Sequence, residues 1–224
     1  MRIYHGSEFE IKKPEFGKGK IHNDYGQGFY CTESIELAKE WAVDENHNGF
    51  ANVYDLNLQG LKILNLNDSK FNILHWITIL LKNRTFRANN RIAKDSKEYL
   101  LNNFSIDTSK YDIIIGYRAD DSYFSFAEDF INNTISVKKL SEAMKLGNLG
   151  EQIVLISKKA FDSIKFIGSE QADKITYFKL KTRRDKSART EYLNSNKLPN
   201  YSKDELYMID IMREGIKSND ARLR

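Results

Sequence analysis

Cysteine is almost absent from this chain: Cys31 stands alone among 224 residues, so no intramolecular disulfide can form and a reducing compartment is expected. Histidine is scarce as well, four in all, and no Cys/His cluster has the spacing of zinc ligands, so no metal is expected. Only Pro14 and Pro199 interrupt the chain, and no Gly/Ser-rich tract is present, which leaves no visible flexible linker between independent domains. Internal repeats are missing too. No run approaches the roughly 18 apolar residues of a membrane span. The opening Met1-Arg2-Ile3-Tyr4-His5 passes directly into a strand-like pattern without the apolar stretch of a signal peptide. No membrane contact and a cytoplasmic location are therefore expected. Charge of one sign is not in large excess: Lys+Arg 35 against Asp+Glu 31 leaves +4, which permits a nucleic-acid partner without demanding one.

What is present suits a folded, soluble protein. The hydrophobic fraction is 41%, the aromatic 12% and the charged 29%, enough apolar surface to offset chain entropy in one well-cored domain. Arg2 to His5 and Phe29 to Thr32 read as strands, separated by a mobile loop through Gly17-Lys18-Gly19-Lys20 and Gly26-Gln27-Gly28. Thr32 is placed to cap a helix through Ser34–Val43, with Leu37, Ala38, Trp41 and Ala42 on one face. Residues 51–58 and 61–64 suggest strands paired across Gln59-Gly60, followed by an apolar helix from about Phe71 to Leu81. Tyr111–Gly116 and Gln152–Ile156 read as buried strands, Val137–Leu146 as a helix ended by Gly147, and residues 164–167 and 175–180 as two further strands. Beyond Leu180 comes a basic run of Lys181, Arg183, Arg184, Lys186 and Arg189. Ser202-Lys203-Asp204-Glu205 then forms a capping box. It opens a terminal helix whose Leu206, Ile209, Met212 or Arg213, and Ile216 form a stripe that must dock on the domain or on a partner.

Three short motifs carry the functional reading through their order. Tyr4-His5-Gly6-Ser7 lies on the first strand, Gly26-Gln27-Gly28-Phe29-Tyr30-Cys31-Thr32 opens the second, and Ala38-Lys39-Glu40-Trp41-Ala42 closes the following helix. Together they resemble the nicotinamide-binding core of the ADP-ribosyltransferase superfamily, in its diphtheria-toxin-like His-Tyr-Glu branch, and a poorly characterised bacterial family within it. The resemblance runs from Ile3 to about Ile167 and takes in Tyr111–Gly116 and Ala119-Asp120-Asp121. It implies an α+β fold with a split, partly antiparallel two-sheet core, flanking helices and a C-terminal helical extension. Residues 1–170 would form an NAD-binding domain, with the basic extension of 171–224 packed on it.

The resemblance also implies roles. NAD would be the co-substrate, held by His5 at a ribose hydroxyl with Ser7 assisting, and by the backbone of Gly6 at the carboxamide. Tyr30 and Trp41 would wall the nicotinamide, Trp41 standing where a second Tyr is usual. Arg118 would contact the diphosphate through its fork of donors. Nicotinamide would leave through an oxocarbenium-like transition state that needs positioning and electrostatic stabilisation more than covalent catalysis.

The catalytic carboxylate is where this chain departs from the pattern. The late strand reads Gly150-Glu151-Gln152-Ile153-Val154, and alignment of the apolar run puts Gln152 where the family has Glu. Glu151 and Gln152 must point to opposite faces of a regular strand, and a Gln supplies no charge. Three readings stay open. A bulge brings Glu151 to the ribose, Gln152 positions NAD while Asp120 or Asp121 activates the acceptor, or the site binds without catalysis.

The expected function is thus an NAD-dependent ADP-ribosyltransferase, of the glycosyltransferase class. It would modify a macromolecular acceptor, protein or nucleic acid, in the setting of a bacterial toxin or anti-phage effector with a possible inhibitor protein. The alternatives are a catalytically silent NAD- or nucleotide-binding module, or a protein-interaction partner acting through its C-terminal extension. For nucleic acid, the run from Lys179 to Arg189 offers cations, with Tyr177, Phe178 and Tyr192 as stacking groups.

Overall fold

The strand-forming stretches divide between two sheets whose apolar faces share a core. The computed structural model describes residues 1–86, 88, 90–119, 121–148, 150–196 and 205–223, and at 121, 122 and 196 the backbone alone. Strands β1 (Arg2–Ser7), β3 (Gly49–Leu56) and β7 (Ile164–Ala172) form an antiparallel sheet in the order β1-β3-β7. Strands β2 (Phe29–Cys31), β4 (Ile63–Asn65), β5 (Ile113–Tyr117) and β6 (Glu151–Leu155) form the other, in the order β2-β6-β5-β4, with β4 and β5 parallel and the rest antiparallel. The sheets meet where Tyr4 and Thr32 exchange backbone hydrogen bonds of 2.8 and 2.9 Å.

Alternation along each strand builds the layer between them. Ile3, Phe29, Cys31, Tyr54, Leu56, Ile113, Ile153 and Leu155 are buried together there. Each such aliphatic or aromatic side chain contributes about 1.5–3 kcal/mol when withdrawn from water. Helix α1 (Ile35–Ala42) covers the opposite face of β1 and β3. The approach is so close at Gly6 that a Cβ there would collide with the Ala38 carbonyl oxygen and press on Trp41 Cβ at 2.9 Å. Helices α2 (Ile73–Asn83), α3 (Arg91–Asn103), α4 (Asp121–Ile131) and α5 (Val137–Ala143) cover the far face of the second sheet. Short α6 (Lys158–Asp162) joins β6 to β7, and α7 (Lys174–Asn196) and α8 (Met208–Arg213) complete the helical layer. Among the described residues no helix is long and apolar enough to cross a membrane.

The mixed α+β character and the pair of sheets agree with the sequence reading; several elements differ. The stretch 175–180 is helical, the start of α7, because Asp173 accepts the Thr176 N–H at 3.0 Å and starts a helix that the alternating Ile175, Tyr177 and Lys179 disguise as a strand. Strands β3 and β4 are not partners: β3 lies between β1 and β7, and β4 follows β5. Ser34, not Thr32, caps α1 through the Leu37 N–H, while the Thr32 hydroxyl accepts the Ser34 N–H. Helices α3 and α4 were not apparent from sequence, since α3 buries only Ala93, Ser96 and Leu100. Of the proposed capping box Ser202-Lys203-Asp204-Glu205, the first three residues lie outside the described residues, and Glu205 accepts from Ser136 Oγ at 2.7 Å. The terminal helix docks on the domain through Met208 and Ile211, whereas Ile209 is 43% exposed.

Candidate functional site

The bridge between the sheets sets two ring-bearing residues side by side. On β1, His5 stacks on Phe29 with centroids 4.2 Å apart, and its Nδ1–H donates to the Tyr30 carbonyl oxygen at 2.7 Å. A carbonyl accepts only, so the proton sits on Nδ1 and Nε2 is left as an acceptor. Desolvation holds the imidazole below its usual pKa, overriding the opposing effect of that hydrogen bond, so the ring is neutral at pH 7.

Tyr30 is fixed at its other end. Its hydroxyl donates to the Gly26 carbonyl at 2.6 Å and accepts the Tyr25 N–H at 3.0 Å. Burial pushes its phenol well above the usual range, so it is un-ionised. Tyr25 in turn donates to the Tyr117 carbonyl at 2.6 Å, over Gly116, where any Cβ would strike the Tyr25 hydroxyl. Beside it the buried Asp24 accepts from Arg84 Nη1 at 3.0 Å and from the Ala119 N–H at 2.8 Å. Burial raises the Asp24 pKa against the opposing pull of these donors. The turn after β5 that carries Arg118 is thereby fastened to the loop that leads into β2 and Tyr30.

The long loop between β1 and β2 is pinned rather than free. Buried Asn52 donates to Ser7 Oγ at 2.9 Å and accepts the Ile11 N–H at 2.8 Å. Gln27 donates to the carbonyls of Gly17 and Gly19 at 2.6 and 2.9 Å. The loop borders an open cavity of about 670 Å³ walled by His5, Gly6, Tyr30, Trp41 and Arg118 and, from the loop, by Lys13, Glu15, Lys18 and Lys20. That size suits a small-molecule site, since such sites run to about 300–1,000 Å³. Four cations face one carboxylate, so the cavity favours an anionic ligand. Arg118 lies over the Trp41 ring, 4.5 Å from its centroid, so a guanidinium covers one indole face that the sequence reading reserved for nicotinamide.

The family model for a protein of unknown function, DUF3990, matches residues 1–166. The chain belongs to the DUF3990 family. No curated protein and no solved structure matches it. The DUF3990 match spans both sheets through the start of β7 and every described residue of the cavity wall, and stops before α7.

In this DUF3990 chain the cavity gathers five of the expected site residues, His5, Gly6, Tyr30, Trp41 and Arg118, from β1, β2, α1 and the turn after β5. Ser7 is engaged elsewhere, donating to the Phe9 carbonyl at 2.5 Å and accepting from Asn52. Neither Glu151 nor Gln152 is among the described wall residues. Gln152 is buried opposite Gly116, on the same sheet face as Tyr30, and among the described residues its Oε1 has no hydrogen-bond partner. Glu151 takes the opposite face, accepts from Asn67 Nδ2 at 2.7 Å, and lines a separate hollow of about 280 Å³ with Thr32, Glu33 and Ser34. No register shift interrupts the β5–β6 pairing there, so the bulge that would turn Glu151 toward the ribose is not formed. Asp121 begins α4, and Asp120 lies outside the described residues. Among the described residues no group of three or more His, Cys, Asp or Glu is placed to hold a metal ion.

Sequence reasoning did not single out Asp24, Arg84, Asn52 or the loop lysines. The lysines were visible as the cation-rich Lys12-Lys13-Pro14-Glu15-Phe16-Gly17-Lys18-Gly19-Lys20. Asp24 and Arg84 are 60 residues apart and carry no local signature.

Proposed function

We propose that this protein binds NAD in the cavity between β1, β2 and α1 and transfers ADP-ribose to a macromolecular acceptor. The observation that carries the reading is the convergence of a neutral His5, the Tyr30 ring and Arg118 with three lysines on one cavity. The chain's own groups fit the dinucleotide. His5 Nε2 accepts a hydrogen bond from a ribose hydroxyl, Arg118 and the loop lysines balance the diphosphate, and Tyr30 offers a ring face to the nicotinamide. NAD supplies the scissile bond: the link to nicotinamide breaks and ADP-ribose passes to a nucleophile of the acceptor. Neither Gln152 nor Glu151 is among the described wall residues of that cavity, so activation of the acceptor would fall to Asp120 or Asp121. Such chemistry suits a bacterial toxin or anti-phage effector, with an inhibitor protein as its natural counterpart.

The test is incubation with labelled NAD and cell lysate, followed by separate protease and nuclease treatment. Transfer predicts released nicotinamide and label lost to one of the two treatments, and Tyr30→Ala abolishing both signals. Induced expression should arrest growth with the wild-type chain and not with Tyr30→Ala. A second reading, a silent NAD-binding module, is favoured by the uncharged Gln152 and by Glu151 on the opposite face. It predicts calorimetric NAD binding, weakened by His5→Ala, with no nicotinamide released.

A further inference from the structure

Helix α7 has one anchored side and one exposed side. Inward, Ala188 and Tyr192 are buried in the helical core. Arg184 grips Glu40 with both Nε and Nη2, at 3.0 and 2.8 Å, and donates from Nη1 to the Gly147 carbonyl at 2.8 Å. Outward, Lys179, Arg183 and Lys186 recur at i, i+4 and i+7, so they share one stripe. All three are exposed, and among the described residues none of them makes an ion pair. The acidic residues of the helix lie off this stripe: Asp185 pairs with Arg189 at 3.0 Å, and Glu191 accepts from Ser187 at 2.7 Å.

We propose that this stripe binds the phosphate backbone of double-stranded nucleic acid. At about 1.5 Å rise per residue, the three cations span roughly 10 Å of a straight helix. A duplex presents about six phosphates over that length, enough to meet all three. The hydroxyls of Thr182 and Thr190 bond back to the Phe178 and Lys186 carbonyls at 2.8 Å, so the cations are the stripe's donors. No aromatic anchor stands between them, which separates this face from the centre of a protein interface.

A duplex fits better than a single strand because the expected stacking groups are not free. Tyr192 is buried, stacked on Phe126 at 3.9 Å and donating to Asp129 at 2.6 Å. Tyr177 and Phe178 pack against Ala42, Val43 and Ala172. Without exposed rings, binding rests on phosphates and is indifferent to base sequence. The inference does not depend on NAD chemistry.

The experiment is fluorescence anisotropy of the full chain with a labelled 20-base-pair DNA duplex, the matching RNA duplex, the single strands, and polyglutamate as an acidic-protein mimic, across a salt series. The expected result is duplex binding whose log affinity falls with log salt at a slope of about −2 to −3, from three phosphate contacts. The triple variant Lys179→Glu, Arg183→Glu, Lys186→Glu should bind at least tenfold more weakly with an unchanged melting curve. The same reversal at Arg91, Lys94 and Lys110 should change affinity less than threefold. DNA and RNA arms differing in strength would name the preferred duplex. Equal loss in both triple variants, undiminished binding by the α7 variant, or tighter binding of single strands or polyglutamate would overturn the proposal.

Discussion

At the scale of single residues, Gly6 and His5 show two ways in which a side chain, or its absence, builds the cavity. The sequence reading takes the missing Cβ of Gly6 as room for a carboxamide; in the fold that room is occupied by α1. Gly6→Ala drives a methyl into the Ala38 carbonyl and Trp41. It should cost about 1–3 kcal/mol or more, seen as a lower urea midpoint, and should displace Trp41 from the wall. His5 acts through its protonation state. The folded protein lowers its pKa, so the unfolded chain, with an ordinary value near 6.5, takes up a proton that the folded chain refuses. Its stabilising contribution is therefore present above about pH 6.5 and is lost as pH falls from there through the lower folded value. His75 has the same sign, being desolvated at the start of α2. Urea midpoints should fall from pH 7.5 to 5.0, and the fall should shrink in a His5→Gln, His75→Gln variant.

At the scale of elements, α7 changes most between sequence and structure. As a basic run it reads as a solvated surface or a partner contact; folded, its cations have two separate jobs. Arg184 is a structural clamp on Glu40, which is 3% exposed, and Lys181 donates to the Val43 carbonyl at 3.1 Å. Lys179, Arg183 and Lys186 stay in solvent. Removing one partner of a buried pair strands the other charge. Glu40→Ala should thus lower stability by on the order of 3 kcal/mol, whereas Lys179→Ala should shift it by less than about 0.5 kcal/mol. Thermal unfolding of the two variants separates these roles. The distinction was illegible in sequence because Arg184 and Glu40 lie 144 residues apart.

At the scale of the whole molecule, the segment after the DUF3990 match is part of the core. Val137 donates its N–H to the Leu206 carbonyl at 2.9 Å, and Met208, Ile211, Ile216 and Leu223 are buried in the helical layer. Four such side chains represent roughly 6–12 kcal/mol of burial, comparable with the whole stability of a typical domain, about 5–15 kcal/mol. A chain ended at residue 204 should therefore lose its cooperative melting transition. Retention of that transition would show that the segment is an appendage.

The sequence by itself determined which stretches alternate and singled out five residues that share one cavity: β1, β2, α1, β5 and β6 lie close to where their patterns place them, and His5, Gly6, Tyr30, Trp41 and Arg118 line the cavity together. The elements are local properties, readable from period, cap and residue type, whereas the site residues came from an order of short motifs that resembles a known family. Tertiary structure decided what those residues face. It separated β3 from β4, joined Asp24 to Arg84, put Gln152 rather than Glu151 on the sheet face of Tyr30, and gathered the loop lysines around the cavity. Those outcomes depend on contacts between segments distant in sequence, and local pattern carries no information about which distant surface a side chain will meet.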